Sequence, residues 1–213
     1  MLCTLGEIYG FGRGVEKNRA KAERYFSRAV KKESTDALVY WADCTDCLNN
    51  EEKKQLNLKR YITAASKNNT LAMRRLARIW IFGFDSYNVY GDSKKNVYKG
   101  LELLADAADM GDVQAKVDFA YFMETGKYAE ADVTYARQLV EEAARAGNAE
   151  ANYRMYEAYA KGRYRVRRDE ERARTYLYAA ARGEFFDAIK ELKQLAANGD
   201  AKAKEVYDSL EVK

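Results

Sequence analysis

Apolar residues recur every three to four positions along most of this chain, and short polar or glycine-containing segments separate the apolar stretches. Ala115, Phe119, Ala120 and Met123 share one helix face, and a second apolar stripe follows at residues 139–144. This spacing is typical of amphipathic α-helices that follow one another in pairs. The pattern predicts helices at residues 2–11, 19–32, 35–48, 51–67, 70–82, 95–110, 112–125, 132–146, 148–161, 170–182, 185–197 and 200–210.

Polar residues and glycines stand where helices of this length need caps. Asn18, Asn50 and Asp169 precede second helices, where a side-chain oxygen can accept a bond from an unpaired backbone N–H. Glycine adopts the left-handed backbone of a helix C-cap at little cost, and it follows three helices, at Gly111, Gly147 and Gly183. Proline, which disrupts helix interiors, is absent from all 213 residues. Composition therefore also indicates a chain that is helical almost throughout.

Two independent series of alanines repeat with one period. The series in the first helix of each pair has intervals of 35, 43, 36 and 37 residues, at Ala37, Ala72, Ala115, Ala151 and Ala188. The series in the second helix has intervals of 36, 43, 36 and 36, at Ala29, Ala65, Ala108, Ala144 and Ala180. A shared period with a shared insertion indicates tandem repeats of a helix pair. Because one pair cannot bury its apolar face alone, we expect an all-α, right-handed solenoid of stacked antiparallel helix pairs.

The sequence Leu-Gly-Glu-Ile-Tyr-Gly-Phe-Gly-Arg-Gly-Val at 5–15, followed by Lys21-Ala22 and Tyr25-Phe26, resembles the Sel-one-like repeat (SLR), a longer relative of the tetratricopeptide repeat. The end of that repeat, Ala-Ala-x-x-Gly, recurs at 107–111, 143–147 and 179–183. The second unit departs from the pattern because it lacks the glycine loop. The resemblance implies one solenoid domain, 1–213, with repeats near 1–33, 34–69, 70–111, 112–147 and 148–183 and a C-terminal capping helix pair at 184–213.

Proteins of this family are adaptors, many of them bacterial. The resemblance therefore implies a non-enzymatic scaffold that binds a partner protein or peptide in a concave groove, without a cofactor. The alternative is an inhibitor or immunity-type protein that neutralises a secreted toxin or enzyme by wrapping it. The chain has no histidine, which independently excludes Ser-His-Asp and Cys-His nucleophile systems and histidine-dependent zinc sites. We accordingly expect no catalytic residue and no metal ligand.

Charge and cysteine content limit the class of partner and the cellular compartment that we expect. The 37 bases and 33 acids give a net charge of +4 that is spread along the chain, so nothing favours nucleic acid as a partner. No run approaches the roughly 18 apolar residues of a membrane span. Cys3, Cys44 and Cys47 are too few for a disulfide framework and favour a reducing compartment. The cytoplasm is favoured for the chain as given, and export would require a signal removed upstream; the oligomeric state stays open.

The first helix of each pair is expected to line the groove. Counted from the alanine of the first-helix series, positions two and six should point away from the apolar stripe, at Val39, Asp43, Arg74, Arg78, Val117, Tyr121, Tyr153, Glu157, Lys190 and Gln194. Arginine and tyrosine are frequent binding hot spots. The predicted partner-binding residues of the groove are Asp43, Arg74, Arg78, Tyr121, Tyr153, Glu157 and Lys190. For the two tyrosines, packing against the next repeat is an equally supported role.

Two loops add further candidates. The loop at 84–92 accounts for the seven extra residues of the 43-residue interval. It either lies on the binding side or covers its own repeat. The loop at 163–168 concentrates arginines that could hold an acidic partner, a phosphate or a nucleic acid. The acids that follow it, at 169–171, favour instead a solvated loop neutralised locally. The candidate residues of these loops are Tyr87, Tyr90, Arg163, Arg165 and Arg168.

Overall fold

The computed structural model describes residues 1–45, 50–82 and 93–211, and within these ranges all regular structure is helical. The helices are α1 (Leu2–Phe11), α2 (Arg19–Val30), α3 (Thr35–Cys44), α4 (Glu51–Ala65), α5 (Thr70–Phe82), α6 (Ser93–Asp109), α7 (Val113–Thr125), α8 (Val133–Arg145), α9 (Ala149–Lys161), the 3₁₀-turn η1 (Arg163–Arg165), α10 (Glu170–Arg182), α11 (Phe186–Ala197) and α12 (Ala201–Glu211). They pack as consecutive pairs, from α1 with α2 to α11 with α12. The predicted all-α fold of paired helices is confirmed. None of the described helices is long and apolar enough to cross a membrane.

The chain forms two compact units, residues 1–112 and residues 113–213. In the first unit, the first helices α1, α3 and α5 lie next to one another. In the second unit, α9 packs against both α8 and α10, and α11 packs against both α10 and α12. The boundary between the units falls where the third repeat was predicted to end. The assignment of 1–213 to a single domain stays a prediction.

The helix bounds agree with the sequence pattern, with two differences. The third helix was predicted to reach residue 48, but α3 ends at Cys44, and Thr45 is already extended, at φ −83° and ψ 114°. The hydroxyl of Thr45 donates to the carbonyl of Trp41 at 2.7 Å, a side-chain bond of the kind that competes with helix continuation. The turn η1 was not predicted from the sequence.

The predicted caps are found at their expected positions, and one of them differs in backbone conformation. Asn18, Asn50 and Asp169 each accept a hydrogen bond from the backbone N–H three residues on, at 2.8–3.0 Å. Gly111 and Gly147 have the expected positive φ, at 88° and 86°. Gly183 is the C-cap of α10, as predicted, but the left-handed backbone expected there was wrong, because its φ is −80°. A Cβ there would lie 2.6 Å from that of Ala149, so this glycine is required by close packing between α10 and α9.

Small residues allow the helices of each unit to approach closely. The alanines of the first-helix series are fully buried in both units, among them Ala37, Ala72, Ala151 and Ala188. The closest approach in the first repeat is at Gly6, where a Cβ would lie 2.5 Å from the Phe26 ring.

Candidate partner-binding surface

Each unit has a first-helix face, made up of the outward side chains of α1, α3 and α5 in residues 1–112 and of α7, α9 and α11 in residues 113–213. Position six after the first-helix alanine is exposed on this face in three repeats, where it holds Arg78, Tyr121 (40% exposed) and Gln194. It is only partly exposed in the other two, at Asp43 and Glu157. The same expectation for position two was wrong in two repeats, because Val39 and Val117 are completely buried. In the first unit the reason is that α3 contacts α1, α2, α4 and α5, so that it is covered on several sides.

Asp43, predicted to bind a partner, is engaged within the first unit. Its carboxylate accepts two hydrogen bonds from the guanidinium of Arg75, from Nε at 3.2 Å and Nη2 at 2.9 Å. It also accepts one from the hydroxyl of Tyr61 at 2.6 Å. Only 14% of the Asp43 side chain is exposed. The residue thus joins α3, α4 and α5, and its role in binding stays a prediction.

Arg74 and Arg78 lie one turn apart on α5 but differ in their surroundings. The Nε of Arg74 lies 3.2 Å from a carboxylate oxygen of Asp112, and the two side chains are 20% and 11% exposed. Arg78 is exposed and forms no ion pair with any described residue. Of this pair, Arg78 is the side chain that a partner reaches without breaking an existing contact.

The aromatic candidates of the second unit also separate into two kinds. Tyr121 stands edge-on to Phe122, with ring centroids 5.3 Å apart, and the guanidinium of Arg154 lies 6.0 Å from its ring. Tyr153 packs against the Phe185 ring at 5.1 Å and against the apolar core formed by α10, α11 and α12. Tyr121 therefore combines exposure with a fixed orientation, whereas Tyr153 mainly packs within the unit.

Glu124, at the end of α7, holds the loop that follows α9. It accepts hydrogen bonds from Arg163, at 2.7 Å from Nη2, and from the hydroxyl of Tyr164 at 2.9 Å. Glu157 pairs with the same arginine at 2.6 Å and with Lys161 at 2.8 Å. Burial, with the nearby Glu124 carboxylate, raises the pKa of Tyr164 to about 12. Two predicted binding residues, Arg163 and Glu157, are thus brought together in one intramolecular network.

The acids that neutralise this loop differ from those expected. Sequence proximity pointed to residues 169–171 as counter-ions, yet Arg163 is paired with Glu124 and Glu157. Asp169 pairs instead with Arg172, at 3.4 Å. Arg165 and Arg168 are exposed and without an ion pair among the described residues.

A concavity of about 630 Å³ opens beside this loop. Its lining is mainly cationic and comprises Arg137, Tyr159, Arg165, Val166, Arg167, Arg168, Asp169 and Arg172. The helices α8, α9 and α10 each contribute one of these side chains, and the loop contributes the rest. Arg165 and Arg168, which the sequence singled out, therefore belong to one pocket.

The remaining candidates stand apart from these clusters. Lys190 is exposed on α11 and forms no ion pair with a described residue. Tyr87 and Tyr90 lie outside the described residues. Cys44 and Cys47 have the CxxC spacing of redox cysteines. Burial raises the pKa of the Cys44 thiol above its usual value, whereas the pKa of a reactive CxxC cysteine is lowered. Cys47 also lies outside the described residues.

Sequence reasoning missed the residues that complete the network and the pocket. Glu124 and Arg154 contact the loop and Tyr121 from other helices, and no local motif marks them. Arg172 did carry a signal, because it follows its N-cap by three residues, as Lys21 follows Asn18 in the first repeat. Arg137 enters the pocket from α8, 28 residues before the loop's Arg165, a distance that periodicity does not reveal.

The sequence matches the Sel1 repeat family over residues 2–34, 70–112, 115–148 and 149–184. The chain belongs to the Sel1 repeat family. The SLR resemblance is thereby confirmed, and the matched segments begin and end within three residues of four of the predicted repeats. Residues 35–69, which lack the glycine loop of the repeat pattern, lie between two matches. No functionally curated protein matches the sequence.

Solved structures, two of them of Sel1 or SLR proteins, share the fold. A Sel1 repeat protein from Oxalobacter formigenes superposes with a TM-score of 0.73 at 21% identity, over 97% of this chain and 82% of that one. A protective antigen of uropathogenic Escherichia coli with an SLR fold gives 0.65 at 18% identity, over 97% of this chain and 43% of that one. An immunity protein from Pseudomonas aeruginosa gives 0.60 at 17% identity, over 85% and 67%. Identities this low establish the fold alone.

Proposed function

We propose that this chain is a non-enzymatic adaptor that binds a partner protein or peptide through the first-helix face. Sel1 repeat proteins are generally scaffolds for protein interaction, and membership of that family supports the coarse role. The observation that carries the finer proposal is Tyr121, which is 40% exposed and yet held by Phe122 and Arg154. A rigid amphipathic ring of this kind is typical of interface hot spots.

The charged residue at the same repeat position supports the proposal. Arg78 occupies position six of α5, as Tyr121 does of α7, and no described contact in the fold requires it. Arginine at an interface can form bidentate bonds with carboxylates. Equivalent positions on the first-helix face therefore carry different side chains in the two units. Such variation along a face is suited to the recognition of a protein or peptide.

Affinity capture from a native lysate with wild type and two single variants, Arg78→Glu and Tyr121→Ala, tests the proposal. The matched control is Tyr98→Ala/Lys99→Glu, which makes the same chemical changes at exposed positions of the second helix α6. We expect a partner that is captured by wild type and control and lost with either variant, while helical circular dichroism is unchanged. Equal capture by all four proteins would refute the assignment to this face.

The second candidate is an immunity-type protein, favoured by the likeness of its fold to the Pseudomonas aeruginosa immunity protein. An adaptor exchanges partners, whereas a neutralising protein holds its target almost irreversibly, so the dissociation rate separates the two. A captured enzyme or toxin that is inactivated on binding, and that dissociates over hours, would favour the immunity role. Release within seconds, with the partner's activity intact, would favour the adaptor.

A further inference from the structure

We propose that the arginine-lined pocket of the second unit binds a small multivalent anion of phosphate chemistry. The pocket is formed by the loop 162–169 with α8, α9 and α10. Its residues lie outside the Tyr121 contacts, so the proposal stands independently of the first-helix face. The equivalent loop of the first repeat is formed by residues 12–18, and comparison of the two loops shows what is special to 162–169.

The two loops share one backbone frame. Gly12 and Gly162 both end a first helix with positive φ, 74° and 76°, and each donates its N–H to the carbonyl four residues earlier. The residue after each glycine, Arg13 or Arg163, pairs with a glutamate six residues before it. Each loop closes where the N-cap residue donates its N–H to the carbonyl of the last tyrosine of the first helix, at 2.8 and 3.0 Å. The fifth-repeat loop is thus an elaborated copy of the first.

The elaboration consists of one extra residue and a change of charge. Tyr164 is inserted and buried, with its hydroxyl bonded to Glu124 at 2.9 Å. Arg165 takes the left-handed position that Gly14 holds in the first loop, with φ 57° against 72°. Arg167 replaces an acid, Glu16. The fifth loop therefore carries four arginines, where the first carries Arg13, Glu16 and Lys17.

The loop is held in a conformation that its residues do not favour. Tyr164 and Arg165 are consecutive non-glycine residues with positive φ, 52° and 57°, and such strain persists only where the surroundings enforce it. Glu124 and Glu157 supply that constraint through Arg163, and Glu124 also holds Tyr164. Backbone strain of this kind is often found at ligand sites. Here its effect is to place the side chains of 165–168 at the pocket.

Positive charge in the pocket exceeds what the protein itself neutralises. Arg165, Arg167 and Arg168 form no ion pair within the described part of the chain. Asp169, the acid of the lining, is engaged by the backbone N–H and the side chain of Arg172. On α8, the Nε of Arg137 is buried without a hydrogen bond, and Glu141 lies 3.5 Å from it. Arg137 is thus ion-paired within α8, and the three loop arginines carry the charge of the pocket that the protein leaves unneutralised.

The donor chemistry selects the class of anion. Guanidinium groups match the oxygens of phosphates in pairs, and several converging arginines favour a ligand with more than one charged group. The Tyr159 ring is already stacked on Tyr176 at 5.7 Å, with Arg172 at 5.6 Å from its centroid. Recognition therefore rests on charge rather than on stacking of a base, which favours a small phosphate compound over a nucleic acid.

Isothermal titration with pyrophosphate at about 50 and 200 mM salt tests the proposal, with sulfate and a single-stranded oligonucleotide as comparison ligands. We expect wild type to bind pyrophosphate saturably, with a dissociation constant below about 1 mM that increases with salt concentration. Arg165→Gln and Arg168→Gln should each weaken it about tenfold, since a charge-assisted bond is lost. Both positions are exposed, so circular dichroism should stay unchanged. The matched control, Arg13→Gln/Lys17→Gln in the first loop, should bind as wild type does.

Four results would overturn the proposal. The first is the absence of saturable pyrophosphate binding by wild type. The second is sulfate binding of equal strength at equal ionic strength, which would indicate charge screening rather than a formed site. The third is oligonucleotide binding that the loop variants abolish while pyrophosphate does not bind, which would assign the pocket to nucleic acid. Pyrophosphate binding that survives in both arginine variants would also contradict the assignment to this pocket.

Discussion

The two units use mostly buried carboxylates for different purposes. In residues 1–112, Asp43 joins α3 to Arg75 of α5 and to Tyr61 of α4. In residues 113–213, Glu124 instead joins α7 to Arg163 and Tyr164 of a loop. The first arrangement fixes helices, and the second fixes a loop whose other arginines remain available to a ligand. Helix pairs of the same design can therefore direct polar contacts either to stability or to the presentation of a surface.

Removing the carboxylate that joins helices should have the largest effect on stability. Asp43→Ala removes the hydrogen bonds that Asp43 accepts from the Tyr61 hydroxyl and the Arg75 guanidinium, and we expect the free energy of unfolding to fall by about 2 kcal/mol. The figure allows for the partial exposure of Arg75, which solvent screens. Urea denaturation followed by circular dichroism measures the change. Glu102→Ala, at an exposed site of α6, is the control, and equal midpoints for the two variants would contradict the role of Asp43.

Removing the hydroxyl that fixes the loop should have a smaller effect. Tyr164→Phe loses the bond to Glu124, and we expect a loss of about 1 kcal/mol at neutral pH. The control is Tyr128→Phe, a loop tyrosine with positive φ that is 44% exposed. If both tyrosine variants unfold at the same urea concentration, the hydroxyl does not hold the loop.

The same residue should give a signature in alkali. Burial, with Glu124 nearby, raises the pKa of Tyr164 to about 12 from an ordinary value of 10.0. The folded state therefore retains a proton that the unfolded state loses, so the stability is complete below pH 10 and declines as pH rises towards 12. Tyr164→Phe should show a shallower decline over that interval than wild type. A decline of equal slope in both proteins would exclude Tyr164 as its source.

Much of the fold could be predicted from the sequence because helix periodicity, caps and repeat length are local properties. Asn18 and Asp169 cap as expected for that reason. The failures are tertiary: Gly183 is small because Ala149 lies against it, and Val39 is buried because neighbouring helices cover it. The candidate site was predicted less well, since Glu124 lies 40 residues from the Tyr164 that it binds. Pattern alone named arginines of the loop, and geometry was needed to show which are paired.

Gly14 and Arg165 hold equivalent left-handed positions in the two loops, and substitutions there should change the free energy of unfolding by about 0.5–1 kcal/mol in opposite directions. Gly14→Ala places a Cβ at φ 72° with no atom within 4 Å, so the expected destabilisation comes from backbone conformation alone. Arg165→Gly relieves the left-handed strain in the fifth loop and should stabilise the protein while weakening pyrophosphate binding. Thermal denaturation measures the stability change of each variant, and the pyrophosphate titration measures the change in binding. Destabilisation by Arg165→Gly would show that the side chain supports the fold, contrary to its exposed and unpaired position.

The smallest effect is expected at Arg78, and it separates two residues one helical turn apart. Arg74→Ala breaks the contact with Asp112, in which both side chains are mostly buried, and should cost about 1 kcal/mol. Arg78→Ala removes an exposed side chain without an ion pair among the described residues, and should change stability by less than about 0.5 kcal/mol. Urea denaturation of the two single variants measures the difference. Equal losses would mean that Arg78 also supports the helix pair, and its availability for a partner would then have to be abandoned.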